Sequence, residues 1–112
     1  MGELENLSRR FGGHIPGLLG ARAGYAVLCP LVEQPEGVHL LFEVRSPTVS
    51  QGGEVCFPGG RMEPGETPQS CALRETEEEL GISREQIDVL GELDYAIHAS
   101  GFPVYPFLAA FP

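Results

Sequence analysis

Apolar and polar residues change their period several times along this chain, and each change marks an element. Residues 4–11 predict a short helix, after which "GGHIPGLLGARAG" is broken by Gly and Pro and reads as a loop. "YAVLCPLVE" and "VHLLFEVR" are apolar, β-prone runs on either side of the turn-forming "QPEG", a pattern that predicts two strands joined as a hairpin. "SPTVSQGG" reads as a second loop, and "EVCF" as a strand short enough to be an edge or entry strand. Downstream, "IDVLGELDYAI" and "VYPFLAAF" predict two more strands, the second assigned to a sheet edge because Pro106 interrupts it.

Between these strands lies the strongest helical signal. Thr67 supplies an N-cap hydroxyl, Pro68 a first-turn residue whose missing N–H costs nothing, and Gly81 the stop. At about 100° per residue, Ala72, Leu73, Thr76 and Leu80 share a stripe suited to packing on a sheet. Glu75, Glu78 and Glu79 share another face, and Glu77 points elsewhere. Strands around one strong helix make the fold class α+β with a mixed sheet.

Composition narrows the choice of function. A chain of 112 residues is one domain, spanning 1–112, with room for a single core. No apolar run approaches the roughly 20 residues of a membrane span, and the first ten residues lack the apolar centre of a signal peptide, so the expected compartment is cytoplasmic. Cys29, Cys56 and Cys71 are odd in number and unpaired in spacing, so they read as reduced thiols; His14, His39 and His98 are scattered. Sixteen acidic and seven basic side chains give a net charge of −9, which argues against a broad nucleic-acid surface held by Lys and Arg. A phosphate-bearing substrate stays compatible if metal ions supply the positive charge.

The acid is concentrated in "GRMEPGETPQSCALRETEEELGI", with six glutamates. Three like charges on one helical patch repel each other, and they sit near the negative end of the helix dipole. Solvent around a surface helix could offset this, and so could a hard divalent cation such as Mg²⁺ or Mn²⁺.

The spacing of this segment resembles the Nudix hydrolase box, G-x5-E-x7-R-E-U-x-E-E-x-G-U with U a bulky apolar residue. Gly60, Glu66, Arg74, Glu75, Glu78, Glu79, Gly81 and Ile82 fall on the pattern, and Thr76 departs from it at the first U. The resemblance implies a loop-helix-loop on an α/β/α sandwich, with Glu75, Glu78, Glu79 and the Gly60 carbonyl as metal ligands. Arg74 would orient Glu75, and Glu66 would brace the loop through Arg74. The residues alone also allow Arg74 as a surface partner of Glu78, and Glu66 as a cap for the helix start. They do not identify a general base; His98 and Glu92 are candidates outside the box.

Upstream, "LLFEVRSPTVSQGGEVCFPGG" resembles the coenzyme A pyrophosphatase branch, L-L-T-x-R-S-x3-R-x3-G-x3-F-P-G-G. Arg45, Ser46, Gly53, Phe57, Pro58, Gly59 and Gly60 match, while one residue is missing after Ser46 and Val49 or Ser50 takes the interior basic position. The branch implies cleavage of coenzyme A or acyl-coenzyme A, with Arg45, Ser46, Gly59, Gly60 and Arg61 on the substrate side. The alternatives are a general pyrophosphatase of ADP-ribose, nucleotide sugars or dinucleotides, and a Nudix-like ligand-binding domain without catalysis. The likeness covers residues 23–112 and stops before the further strand and closing helix that Nudix domains usually carry. The domain therefore reads as C-terminally incomplete, and a bare sheet face would favour association with a second copy.

Overall fold

The computed structural model describes residues 2–14, 16, 24–44 and 53–112. A first helix, α1 (Glu3–Phe11), buries none of its residues. The sheet is built on two long strands, β1 (Tyr25–Gln34) and β8 (Pro103–Ala110), which run parallel from Tyr25 opposite Val104 to Leu31 opposite Ala110. On the far side of β1 lie β2 (Gly37–Leu40) and β5 (Gly59–Arg61), both antiparallel to it. On the far side of β8 lie β6 (Asp88–Glu92) and β7 (Ala96–Ile97), also antiparallel. A separate two-stranded ribbon pairs β3 (Glu43–Val44) with β4 (Val55–Cys56). The result is α+β with a mixed six-stranded sheet.

The second helix, α2 (Pro68–Leu80), has the boundaries its sequence signals require. The Thr67 side chain accepts the Ser70 N–H at 3.1 Å, and Gly81 closes the helix in the left-handed region at φ 71°. Cys71, Ala72 and Thr76 are buried against Ala26 and Leu28 of β1 and against Tyr105, Phe107 and Ala109 of β8. Three alanines and a cysteine at this seam let helix and sheet approach closely, and Phe107 and Leu28 fill the remaining volume. Thr76, the departure from the box pattern, buries its hydroxyl without penalty by donating it to the Ala72 carbonyl at 2.8 Å.

Three strand expectations are corrected, and two of them turn on proline. The strand holding Pro106 is central and not an edge. In an antiparallel pair a residue's N–H and C=O face the same neighbour. The Pro106 carbonyl accepts the Leu93 N–H at 2.9 Å, so its missing donor faces residues 93–95, where no strand runs. The run "IDVLGELDYAI" is correspondingly split into β6 and β7, and its register shifts between Val89 and Gly91. The run "VHLLFEVR" is split as well. Leu41 donates to the Pro30 carbonyl at 3.0 Å, but the reciprocal bond needs an N–H that Pro30 lacks, so the ladder ends and the chain leaves for the ribbon. No helix among the described residues is long and apolar enough to cross a membrane.

The cap at Thr67 gives a direct check of this architecture. Thr67→Ala is expected to cost about 1 kcal/mol and Thr67→Ser little, read from urea unfolding midpoints. Equal loss in both would show that the threonine methyl, and not the hydroxyl, matters.

Candidate active site

The loop from Gly59 to Thr67 and the helix α2 fold around one guanidinium. Arg74 donates Nε to Glu66 Oε2 at 2.6 Å and Nη2 to Glu66 Oε1 at 3.0 Å, a two-point clamp on the loop. Its Nη1 reaches Glu75 Oε1 at 3.0 Å and Glu78 Oε1 at 3.4 Å, and its Nη2 reaches the Arg61 carbonyl at 3.3 Å. Glu66 also accepts the Glu63 N–H at 2.8 Å. Arg74 thus contacts both Glu75 and Glu78, the two helix partners open to it in sequence. The Arg74 clamp holds the Glu66 carboxyl down to about 2, and Glu66 in turn raises the Arg74 pKa further above its ordinary value.

Gly59 is required by packing, and Gly60 makes room for Glu75. A β-carbon at Gly59 would collide with the Ala26 carbonyl and with Val27, because β5 runs against β1 there. A β-carbon at Gly60 would lie 2.5 Å from the Glu75 carboxyl carbon, so only glycine leaves that carboxylate its place. Beneath the loop the buried Cys71 thiol donates to the Gly60 carbonyl at 3.5 Å, and burial pushes the thiol up to about 12, where it stays protonated. Sequence reasoning passed over Cys71 because it sits between named box positions.

The three glutamates of the shared face diverge in space. Glu75 lies against Gly60, and Glu78 is exposed at 58% of its side chain and reaches back to Arg74. Glu79 turns its carboxyl toward β5 and the ribbon: Oε2 accepts the Gly59 N–H at 3.3 Å, and Glu43 stands beside it. Partial desolvation and the neighbouring Glu43 raise Glu79 above the ordinary carboxylate range. Glu43 was not singled out in sequence, where it reads as one polar residue in a strand. Glu77 points away and accepts the Arg84 N–H and Nε–H at 2.8 and 3.1 Å.

The remaining candidates scatter. Glu92 lines a cleft of about 420 Å³ at the opposite, N-terminal end of α2, together with Thr67, Leu73 and Arg84. His98 stacks on Phe102 at 4.4 Å and accepts the Ser100 N–H on Nδ1. Arg61 is exposed with its guanidinium over Tyr25, and Arg45 and Ser46 lie outside the described residues. Cys29, Cys56 and Cys71 are not joined to one another by a disulfide.

Carboxylate and carbonyl oxygens are the donor set of a hard divalent cation, and the Glu75 carboxylate packs directly on Gly60, a residue whose carbonyl is of the same donor type. Among the described residues no three such side chains already converge as a closed cage.

Residues 22–106 match the NUDIX domain family. The chain belongs to the Nudix family. It is 43% identical over 98 residues to Nudix hydrolase 3 of Caenorhabditis elegans, a match covering 84% of this chain and 41% of that protein. It is 41% identical over 71 residues to the peroxisomal coenzyme A diphosphatase NUDT7 of Mus musculus, covering 62% of this chain and 30% of that protein. The chain thus spans less than half the length of either relative. The Nudix fold is shared with RenU, a Nudix hydrolase of M. smegmatis, at a TM-score of 0.68 and 27% identity over 81% of this chain and 62% of that one.

The Arg74 clamp ties stability to pH with a definite sign. Glu66 is depressed in the folded Nudix domain, so its contribution is complete above its ordinary value of 4.5 and is lost as pH falls toward about 2. Glu66→Gln is expected to be less stable than the parent at pH 7 and to show a shallower loss across that acid window. Parallel acid limbs in thermal melts would remove Glu66 from this linkage.

Proposed function

We propose that this Nudix domain belongs to a divalent-cation-dependent hydrolase that splits the diphosphate of coenzyme A or acyl-coenzyme A. The products would be adenosine 3′,5′-bisphosphate and (acyl-)4′-phosphopantetheine. The observation carrying the hydrolase reading is the Arg74 clamp, which fixes Glu66, Glu75 and Glu78 around a glycine loop. The substrate reading is supported by the "RSPTVSQGGEVCFPGG" likeness and by the similarity to the mouse coenzyme A diphosphatase.

Glu75, Glu78, Glu79 and the Gly60 carbonyl would hold Mg²⁺ or Mn²⁺. Such a cation would supply positive charge against the diphosphate and would make a bound water a better nucleophile. The chain's own residues prepare that chemistry. Arg74 lies 3.0 Å from Glu75 and 3.4 Å from Glu78 and so directs both carboxylates. Its guanidinium cannot lend a proton, so its role is charge and orientation. Glu66 fixes the far end of the fork, which keeps Arg74 from collapsing onto a single ligand. The Gly59 N–H orients Glu79. Arg61 is exposed and adjoins Gly60, where it can meet a phosphate; Arg45 and Ser46 belong to the same substrate side by sequence.

Turnover of coenzyme A, ADP-ribose and NADH by the full-length protein tests this reading. Coenzyme A should be the preferred substrate, and chelation should abolish its cleavage. Glu78→Gln and Glu79→Gln should each lower turnover about a hundredfold or more, with Glu77→Gln near the parent. Faster cleavage of ADP-ribose would overturn the substrate and leave the hydrolase. Binding without turnover of any of the three would favour a ligand-binding domain.

A further inference from the structure

We propose that the flat base of the substrate's nucleotide half stacks on the Arg61 guanidinium, and that Tyr25, Phe102 and His98 are the positioning residues that hold this guanidinium ready. The inference rests on the diphosphate-hydrolase reading above and deepens it by naming where the base lies.

Four residues from distant parts of the chain make one ladder. The Arg61 guanidinium lies over the Tyr25 ring at 5.8 Å, and Tyr25 stacks on Phe102 at 4.6 Å. Phe102 in turn stacks on His98 at 4.4 Å, with the two planes 8° apart. The sheet fixes one end, because Tyr25 of β1 pairs with Arg61 of β5 on one side and with Val104 of β8 on the other. The turn between β7 and β8 fixes the other end. There the His98 N–H donates to the Phe102 carbonyl at 2.9 Å, and the Ser100 N–H donates to His98 Nδ1 at 3.0 Å, so backbone amides set the imidazole against Phe102. Side chains alternate along a strand: Ala26 and Gly60 face α2, so Tyr25 and Arg61 occupy the opposite face of the sheet.

Charge sets Arg61 apart. Every Asp and Glu of the chain lies among the described residues, and none of them pairs with Arg61, whereas Arg74 and Arg84 both hold carboxylates. In a chain of net charge −9, a guanidinium kept off all sixteen acids and laid on a ring offers a flat face and a positive charge together. Its face suits an aromatic base, and its N–H edges suit phosphate, so the ligand it selects carries both. The place agrees with that ligand. Arg61 follows Gly60, on which Glu75 packs, and Arg74 holds the Arg61 carbonyl at 3.3 Å. Among the described residues β5 is paired on one side only, to β1. The ladder and the Glu75 carboxylate therefore lie on the two faces of a single edge strand, which an extended nucleoside diphosphate can straddle.

Titration calorimetry of the full-length protein with two probes decides the point: ADP, a unit present in coenzyme A, ADP-ribose and NADH alike, and inorganic diphosphate, which has no base. Arg61→Lys keeps the charge and loses the flat face. It is expected to weaken ADP about tenfold and to leave inorganic diphosphate within twofold of the parent. Tyr25→Leu should show the same split, and Tyr25→Phe should restore the parent affinity for ADP. Unchanged ADP affinity in Arg61→Lys, or an equal loss on both probes, overturns the assignment, since Arg61 would then act through charge alone. Unchanged ADP affinity in Tyr25→Leu overturns the positioning role. Should Tyr25→Leu unfold, Phe102→Leu takes its place with the same two readings. A parent that binds ADP no more tightly than inorganic diphosphate has no base subsite, which overturns this assignment and leaves the hydrolase reading standing; a parent that binds neither overturns both.

Discussion

One guanidinium organises this site. Arg74 joins a loop residue, two helix carboxylates and a strand carbonyl, with 19% of its side chain exposed. A lysine could balance the charge but could not present two parallel N–H groups to Glu66 while sending others to Glu75 and to the Arg61 carbonyl. In a chain with sixteen acids and seven bases, placing one base among Glu63, Glu66, Glu75 and Glu78 is a strong local choice. It converts a repulsive surface into an ordered one, and it fixes the loop against the helix before any ligand arrives.

The sheet supplies the floor on which that arrangement stands. Gly59 and Gly60 lie on β5, opposite Val27 and Ala26, so the strand pairing sets the height of the loop over the core. The buried alanines at the seam bring α2 down to it, and Cys71 fills the space beneath the Gly60 carbonyl. Packing and site geometry meet here: a β-carbon at Gly59 would strike the backbone of β1, and one at Gly60 would displace the Glu75 carboxylate.

The helix was legible nearly to the residue, because caps act locally: Thr67, Pro68 and Gly81 fix its ends whatever the sheet does. The contacts of Arg74 with Glu66 and Glu75 were implied by the likeness to the Nudix box, while the residues alone left Arg74 equally a partner of Glu78 and Glu66 a helix cap. The strand errors have a different source. Whether a proline is tolerated in a central strand depends on what its neighbour does at the same height, and residues 93–95 are a neighbour no local pattern reveals. Glu43 was missed for a related reason. It stands thirty-odd positions from Glu79, in a run whose alternation looks like simple strand continuation, and only the departure after Leu41 brings the two together.

That departure places Pro30 in an unexpected position of influence. It touches none of the carboxylates, yet by withholding one donor it sets how far the first hairpin can zip. A residue able to complete the bond would let the ladder run on toward Phe42 and draw the ribbon into the sheet. The composition of the site at its ribbon end is therefore governed by a switch in chain routing. Related chains that differ only there could present a different set of side chains to α2, with every residue of the box unchanged.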